Sequence, residues 1–367
     1  MTDPGGFLIA GGGTGGHVFP ALALADELKR RRPGAPIVFV GTRNGLEADL
    51  VPKAGWPLEF VRARGIVGKG LAARLRGLVA LPLAFADSLR LLSRHAPTAV
   101  VGVGGYAAGP VVATAWARRV PTVIHESNAV PGLTNRLLSR VATRVAVGTP
   151  AAAAAFPGAV VTGNPVRDAF FGIPSLVSRP PERRLHLLVV GGSQGAQILN
   201  RVLPEALAAV AARGIAFDVL HQAGKGRAVT VADAYGSAGL GAEHVSVREF
   251  LPEIAAAYAE ADLVLSRSGA MTTAEVAAAG RPALLVPFAG ATHGHQEANA
   301  RALAAAGAAV VVTEAEASPE RLADEVAALL SDPMRLLAMG EAARRAAVPG
   351  AAERLADVVL GAVRRNA

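Results

Sequence analysis

The fold of this chain is indicated by Phe7-Leu-Ile-Ala-Gly-Gly-Gly-Thr-Gly-Gly16, a short apolar run that leads into a turn made mostly of glycine. Leu185-His-Leu-Leu-Val-Val-Gly-Gly-Ser-Gln-Gly195 repeats this pattern in the second half. Each stretch predicts a buried strand, a glycine turn and the start of a helix. Such turns let backbone N–H groups approach a phosphate at a helix N-terminus. The repetition predicts two related α/β domains.

Ten further apolar runs alternate with Ala- and Leu-rich helical stretches, as in parallel sheets covered by helices on both faces. The strands predicted for the first half are Phe7–Ala10, Ile37–Val40, Ala99–Val103, Thr122–Ile124, Arg144–Val147 and Val160–Thr162. Those predicted for the second half are His186–Val190, Phe217–Leu220, His244–Val247, Leu263–Leu265, Ala283–Val286 and Ala309–Val312. The predicted fold class is therefore α/β, with two Rossmann-like domains that join near 161–167.

Composition excludes several classes of protein. The chain has 367 residues, of which 51% are hydrophobic and 18% charged, so it is not intrinsically disordered. It contains no cysteine, which excludes disulfides, thiolate metal sites and a cysteine nucleophile. The uncharged stretch 98–117 has glycines and a proline in its middle, which indicates a strand, a loop and a helix. We expect a soluble protein.

Positive charge is concentrated in the first half, where residues 1–163 carry a net charge of +10 against −2 for the remainder. This asymmetry predicts an anionic partner. Over 71–92 apolar residues recur at helical spacing, interrupted or kinked at Pro82, and we assign Leu89 and Leu92 to the core. The stretch 64–85 predicts a basic amphipathic surface on anionic lipid.

The lipid-facing residues predicted within that stretch are Lys69, Leu75, Leu78, Val79 and Phe85. Nucleic acid is not expected as a partner, because aromatic residues make up only 4% of the chain and none interleaves these basic residues.

The first glycine turn matches G-x-G-x-x-G at Gly11, Gly13 and Gly16, which by itself leaves dinucleotide binding open. An NAD site needs an acid at the end of the second strand, but this chain has Arg43 there, which suits NADP instead. His17 follows the turn directly. It is either a general base or a residue that caps the helix.

Polar residues also follow a strand at His125-Glu-Ser-Asn128, where a carboxylate, an imidazole and an amide suit a hydroxyl-rich or charged substrate. Ser127 is interpreted as turn chemistry.

In the second half, Ser266–Glu275 opens a helix whose first N–H groups would hold a diphosphate. Glu275 either binds vicinal ribose hydroxyls or forms a capping box with Thr272. The polar loop 293–299 is expected to contact sugar hydroxyls. No D-x-D motif occurs, so we predict no metal site and no cofactor.

Six motifs in order resemble those of the MurG family of bacterial undecaprenyl-diphospho-muramoylpentapeptide β-N-acetylglucosaminyltransferases, over nearly the whole chain. The motifs cover residues 11–20, 104–110, 125–128, 162–167, 191–195 and 267–275. The resemblance implies a GT-B fold, in which two Rossmann-like domains face a cleft. The implied domains are 1–163 with the C-terminal helix 341–367, which binds acceptor and membrane, and 164–340, which binds UDP-GlcNAc.

The activity implied by this resemblance is inverting transfer of GlcNAc from UDP-GlcNAc to the C4 hydroxyl of MurNAc in lipid I. The product is lipid II of peptidoglycan biosynthesis. The resemblance implies a peripheral protein at the cytoplasmic face of the cell membrane. The chain departs from the family at Ser127, where glutamine is usual. Alternatives are another GT-B nucleotide-sugar enzyme (an epimerase or a lipid glycosyltransferase), an NADP oxidoreductase and a non-catalytic lipid-binding module.

The resemblance also implies roles for individual residues. Our own mechanistic hypothesis is that His17 is the catalytic base, with Glu126 as its rival. The residues implied to bind UDP-GlcNAc are Thr14, Gly15, Gly16, Asn128, Arg167, Ser193, Leu251, Ser268, Gly269, Ala270, Met271, Thr272, Glu275 and Gln296. Those implied to receive the diphosphate of the acceptor are Gly15, Gly16, Gly104, Gly105 and Tyr106.

Overall fold

The computed structural model describes residues 5–63, 71–176, 183–192, 194–291 and 294–364, with the side chains of 71–79 left out. These residues form two compact units. The first contains the chain up to Val166 together with the segment from Gly350 onward, and the second is Arg167–Pro349. The predicted boundaries fall at 163/164 and 340/341. The second of these lies within a helix, Pro333–Ala346, which belongs wholly to the second unit.

The first unit is a parallel seven-stranded sheet flanked by helices, in the order β3-β2-β1-β4-β5-β6-β7. Its strands are β1 Phe7–Ala10, β2 Ile37–Gly41, β3 Leu58–Phe60, β4 Ala99–Gly102, β5 Thr122–Glu126, β6 Arg144–Val147 and β7 Val160–Val161. Its helices are α1 Gly15–Arg31, α2 Glu47–Lys53, α3 Leu71–His95, α4 Ala108–Ala117, α5 Leu133–Leu138, α6 Pro150–Ala153 and, from the end of the chain, α15 Ala351–Arg364.

The second unit is a parallel six-stranded sheet in the order β10-β9-β8-β11-β12-β13. Its strands are β8 Leu185–Val190, β9 Phe217–Gln222, β10 Val245–Arg248, β11 Leu263–Ser266, β12 Ala283–Leu285 and β13 Ala309–Val311. Its helices are α7 Asp168–Phe171, α8 Gln197–Ala212, α9 Ala228–Ser237, α10 Ile254–Glu260, α11 Ala270–Ala279, α12 His295–Ala305, α13 Pro319–Leu330 and α14 Pro333–Ala346.

The α/β fold class predicted from the sequence is confirmed. All twelve predicted strands are present, with ends that differ by at most two residues. Strand β3 was missed, because its three half-buried residues form an edge strand with no long apolar run. Strand β5 extends two residues further than predicted, so His125 and Glu126 are its last residues and do not lie in the loop.

Strand β1 is buried and apolar along its whole length because both faces of the sheet are covered. In β1, Phe7 and Ile9 pack in one core cluster with residues of α1 and α15. Leu8 and Ala10 face the opposite cluster, with residues of α4. Side chains that alternate across the sheet therefore join it to helices on both faces.

Helix α3 is continuous through Pro82, so the proline does not interrupt it. Leu92 is buried as predicted, but Leu89 is 43% exposed, so its assignment to the core was wrong. In the described part of the chain, no helix is both long enough and apolar enough to cross a membrane.

The strand orders place the candidate sites. In each sheet the chain first runs to one side and then returns to the other side of its first strand, so that β1 pairs with β4 and β8 pairs with β11. Ligands of open α/β sheets bind beyond the carboxyl ends of strands at this reversal. The loops at these ends, 11–14 and 103–107 in the first unit and those following β8 and β11 in the second, carry the predicted motifs.

The second unit contains a buried arginine, Arg281, which is only 2% exposed. It donates to the carbonyl oxygens of Tyr258 at 2.8 Å, Ala259 at 2.9 Å and Pro174 at 3.1 Å. We expect Arg281→Met to lower the unfolding free energy by about 2–4 kcal/mol, because it removes three hydrogen bonds donated by a buried guanidinium.

The measurement is urea unfolding followed by far-UV circular dichroism, with Arg301→Met as the control because Arg301 is an exposed arginine bonded to Glu297 on its own helix. Both tryptophans, Trp56 and Trp116, lie in the first unit, so their fluorescence reports that unit separately. An unchanged dichroism midpoint in Arg281→Met would contradict this account.

Candidate active site

His17 is the third residue of α1, and its ring turns back toward the first glycine loop. Its Nδ1 lies 2.9 Å from the carbonyl oxygen of Gly12. A carbonyl only accepts, so Nδ1 carries the hydrogen and the lone pair of the neutral ring is on Nε2. The imidazole bonds the loop and does not cap the first turn of the helix. This tautomer suits a general base that uses Nε2.

The loop after β4 packs against the same place. Gly104 has φ +98°, and a Cβ there would lie 2.7 Å from the His17 ring. Gly105 has φ +83°, and its Cβ would lie 2.3 Å from the Gly12 carbonyl oxygen. Both positions therefore require glycine, because any side chain would displace the imidazole or the loop that holds it.

His125 is fully buried at the end of β5. Its Nε2 donates to the Gly163 carbonyl oxygen at 3.3 Å, and its Nδ1 lies 3.4 Å from Ser127 Oγ. Burial lowers the pKa of His125 to about 4, so the ring is neutral near pH 7. His125 thus has a packing role beside His17 and contributes no charge.

The carboxylate of Glu126 is 3% exposed and is surrounded by donors. Its Oε1 accepts from the Asn128 backbone N–H at 2.9 Å and from Asn128 Nδ2 at 3.1 Å. Its Oε2 accepts from Gly132 N–H at 3.1 Å and from Asn135 Nδ2 at 2.9 Å. Four donors match the four lone-pair positions of a carboxylate. Glu126 is therefore built to hold the 126–135 turn.

Ser127 is the first residue after β5. It is buried, and its Oγ lies 3.4 Å from both His125 Nδ1 and the Gly16 carbonyl oxygen. Its carbonyl accepts from Asn164 Nδ2 at 2.9 Å. Ser127 thus lies between β5 and the start of α1. Its interpretation as a turn residue alone omitted these contacts.

In the second unit, α11 begins at Ala270 after Gly269 and points its amino end past the end of β11. The first turn, 270–272, presents N–H groups that have no carbonyl partner within the helix, together with the positive end of the helix dipole. Thr272 lies inside this turn and is not the N-cap, so the capping-box interpretation of Thr272 and Glu275 was wrong. The arrangement suits a diphosphate.

Glu275 is partly buried on α11 near Tyr258 and Arg167. Burial raises the pKa of Glu275 to about 7, and the positive charge of Arg167 acts in the opposite direction. The Arg167 guanidinium lies 5.4 Å from the centre of the Phe170 ring. The structure therefore brings together Glu275 and Arg167, two residues assigned from sequence to one nucleoside.

The loop that precedes α12 is tied to α11. Ser268 Oγ donates to the Gln296 carbonyl oxygen at 2.7 Å, so this hydroxyl has a partner within the protein. Gln296 Oε1 accepts from Phe288 N–H at 3.0 Å. Arg267 bonds Glu314 at 3.0 Å and stacks on the Phe288 ring, 5.2 Å from its centre. This network shapes the loop predicted to contact the sugar.

The predicted residues thus divide into two groups by the unit that contains them. The first group contains Thr14, Gly15, Gly16, His17, Gly104, Gly105, Tyr106, Glu126 and Asn128, and the second contains Arg167, Leu251, Ser268, Gly269, Ala270, Met271, Thr272, Glu275 and Gln296. Phe85 lies on α3 and is 42% exposed. Ser193, Lys69 and the side chains of Leu75, Leu78 and Val79 lie outside the described residues.

The chain is similar to known proteins over nearly its whole length. Residues 7–147 match the glycosyltransferase family 28 N-terminal domain, and residues 186–355 match the C-terminal domain of the same family. A UDP-N-acetylglucosamine--N-acetylmuramyl-(pentapeptide) pyrophosphoryl-undecaprenol N-acetylglucosamine transferase of Alkalilimnicola ehrlichii is 48% identical, covering 98% of this chain and 99% of the relative. The enzyme of the same name from Anaeromyxobacter sp. (strain K) is 46% identical, covering 98% and 93%. The chain belongs to the MurG family.

A crystal structure of Acinetobacter baumannii MurG matches with a TM-score of 0.80 and 32% identity, covering 98% of this chain and all of that one. Each unit therefore has the Rossmann-like fold of a GT-B glycosyltransferase. This membership removes the NADP oxidoreductase alternative. In the structure, Arg43 stacks on the Phe60 ring at 4.8 Å.

Three contributions to the site were missed in the sequence. Asn135 holds Glu126, Glu314 holds Arg267, and Glu47 contacts the first glycine loop. Each partner lies at least nine residues away along the chain, so only the folded structure brings the pairs together. Their one sequence signal is that each is a polar residue in the segment that follows a strand.

The raised pKa of Glu275 predicts a pH dependence of stability. The folded unit holds this proton up to about pH 7, whereas the ordinary value for a glutamate is 4.5. The contribution of Glu275 to stability is therefore complete below pH 4.5 and is lost as the pH rises toward 7, by at most about 1.4 kcal/mol per pH unit.

We expect Glu275→Gln to remove this slope, measured by urea unfolding at a series of pH values. Glu253→Gln, at an exposed position of the same unit, is the matched control and should keep the slope. A wild-type slope that persists in Glu275→Gln would show that other groups cause it.

Proposed function

We propose that this chain transfers GlcNAc from UDP-GlcNAc to the C4 hydroxyl of MurNAc in undecaprenyl-diphospho-MurNAc-pentapeptide, with inversion at the anomeric carbon. The observation that carries the proposal is the near-complete coverage of this chain by relatives of that name at 46–48% identity. The donor and acceptor groups in the two units are consistent with it. In this reaction O4 of the acceptor forms a bond to C1, and the bond from C1 to the UDP oxygen breaks.

The second unit would hold the donor. The amino end of α11 stabilises the diphosphate and the charge that develops on UDP as it leaves. Glu275 accepts hydrogen bonds from the two ribose hydroxyls, and Arg167 and the Leu251 backbone bind the uridine end. Ser193 belongs to the diphosphate site, and Gln296 binds hydroxyls of the sugar. Phe250, beside Leu251, is 63% exposed and provides an apolar surface for the base.

The first unit would hold the acceptor. Its diphosphate lies at the start of α1, over Thr14, Gly15 and Gly16, with Gly104, Gly105 and Tyr106 from the second loop. His17 then takes the proton of the attacking hydroxyl on Nε2. Glu126 is a poor competitor for this role because its four lone-pair positions already have donors.

The membrane surface of the protein is proposed to extend beyond the residues chosen from sequence. Three helices of the first unit, packed in the order α3, α4, α5, carry large exposed apolar side chains. These exposed apolar side chains are Leu83, Phe85, Leu89, Trp116, Leu133 and Leu137. Exposed arginines accompany them at positions 90, 118, 119, 136 and 140, whereas Asp87 is the one acid on these three helices.

Apolar side chains with surrounding arginines suit peripheral binding to anionic lipid, and Lys69, Leu75, Leu78 and Val79 stay predictions from sequence for the same role. Such binding brings the first unit to a lipid-linked acceptor. We place the enzyme at the cytoplasmic face of the cell membrane.

The function is tested by transfer of labelled GlcNAc from UDP-GlcNAc to a lipid-linked MurNAc-pentapeptide. We expect His17→Ala to lower the rate of a single turnover by about 10²-fold or more, because it removes the base. Glu126→Gln should lower it less, since an amide still accepts at one oxygen. A His17→Ala rate near wild type would exclude His17 as the base, and epimerised donor without transfer would overturn the function.

The membrane surface is tested by sedimentation with vesicles that contain anionic phospholipid. Trp116→Glu combined with Leu137→Glu should abolish binding, because two charges would then enter the lipid interface. The matched control is Val229→Glu, a change at a 75% exposed apolar residue of the second unit. Undiminished binding of the double variant would place the lipid contact elsewhere.

A further inference from the structure

Glu47 is a buried carboxylate that the proposed reaction does not use. It is the first residue of α2 and is 2% exposed. Its Oε2 accepts from the Gly13 N–H at 2.6 Å. Its Oε1 accepts from Thr42 N–H at 2.8 Å and from Thr42 Oγ1 at 2.9 Å. A buried anion with three donors is held in one position.

The backbone of three glycines lies against the Glu47 side chain and leaves no space for a further side chain there. A Cβ added at Gly12, Gly41 or Gly45 would lie 2.1, 2.4 or 2.0 Å from an atom of the Glu47 side chain. Three glycines from the ends of β1 and β2 therefore enclose one side chain. The loop at the end of β1 closes onto Glu47, and the Gly13 N–H is already engaged by an anion of the protein.

The peptide group between Gly12 and Gly13 joins Glu47 to His17. Its N–H, on Gly13, donates to the carboxylate at 2.6 Å. Its carbonyl oxygen, on Gly12, accepts from His17 Nδ1 at 2.9 Å. The imidazole thus donates a hydrogen bond to the peptide group, and the peptide group donates one to the carboxylate. Each bond in such a series polarises the next.

We propose that Glu47 is a positioning residue for the base: through the Gly12–Gly13 peptide it fixes the tautomer of His17 and raises the basicity of Nε2. A carboxylate bonded directly to a catalytic histidine acts in the same way. Here one peptide group separates the two, so the carboxylate increases the negative charge on the Gly12 oxygen that faces Nδ1–H. The proposal rests on the proposed role of His17.

Other titratable groups near His17 do not replace this effect. Strand β5 contributes His125, whose buried ring is neutral near pH 7, and Glu126, which is bonded to the turn that follows it. The loop after β4 contributes Tyr106. Helix α2 also contributes Asp49, which is bonded to Lys53.

Two more carboxylates, Glu27 and Asp357, lie where α1 meets α15 and are bonded to Arg31 at the far end of α1. Glu47 is therefore the carboxylate that the described hydrogen bonds connect to the imidazole.

The direct test is the pKa of His17, measured by NMR titration of protein labelled with 13C at histidine Cε1. The chain has eight histidines, and the His17 signal is the one absent from His17→Gln. We expect a lower His17 pKa in Glu47→Gln than in wild type. The matched control is Glu59→Gln, at a half-buried glutamate of the same unit that is bonded to Arg94, and it should leave the pKa unchanged.

The second variant, Glu47→Asp, keeps the charge but shortens the side chain, so the bond to Gly13 is lost. Glu47→Asp should also lower the His17 pKa. If Glu47→Gln does not fold, the titration is carried out on Glu47→Asp instead. An unchanged His17 pKa in a folded Glu47 variant would overturn the proposal. This readout needs neither substrate, so it remains valid even if the proposed reaction is wrong.

Kinetics supply the second readout. In Glu47→Gln, kcat should fall by about 10–100-fold. Losses of this size are typical when a residue that orients a metal-binding side chain is removed, and Glu47 would orient His17 in a comparable way. The acid limb of its pH profile should move to lower pH, and the KM for UDP-GlcNAc should stay unchanged. A fall in kcat with the pH profile unmoved would mean that Glu47 only stabilises the loop, and would contradict the proposal.

Discussion

Close approach of backbone to backbone at the carboxyl ends of parallel strands is the constraint on which both sites depend. In the first unit, Gly105 lies so near Gly12 that a Cβ would come within 2.3 Å of its carbonyl oxygen. In the second unit, Gly195 and Gly224 approach each other in the same way, and a Cβ on Gly224 would lie 2.3 Å from the Gly195 nitrogen. Without a side chain, each loop can turn sharply and leave a helix N-terminus open to a ligand.

The two units use this common geometry for different chemistry. In the first, the loop holds the His17 imidazole on one side and a buried carboxylate on the other, and it therefore organises the proposed proton acceptor. In the second, the helix that follows β11 offers its amino end, and the acid beside it, Glu275, has a pKa raised to about 7. The proposed division assigns the acceptor and the base to one sheet and the leaving nucleotide to the other.

The sequence was sufficient for the fold class, for twelve strands and for the loops at the sheet reversals, because apolar runs and glycine turns are local signals. It was insufficient where a role depends on partners distant in the chain. Glu126 was a rival base on sequence grounds, and only the fold shows Asn128, Gly132 and Asn135 donating to it. Leu89 fits an apolar stripe at helical spacing, yet it is exposed. Its exposure depends on which face of α3 packs on α4, and helical spacing alone does not specify that face.

The division of roles between the units is tested most directly by isothermal titration of UDP onto wild type, Glu275→Ala and His17→Ala. UDP carries the nucleoside and the diphosphate but no GlcNAc, so its affinity reports the residues proposed to bind the nucleotide part of the donor. We predict that Glu275→Ala loses most of its affinity for UDP, whereas His17→Ala binds UDP as wild type does. Equal weakening in both variants, or unchanged binding in Glu275→Ala, would contradict the account.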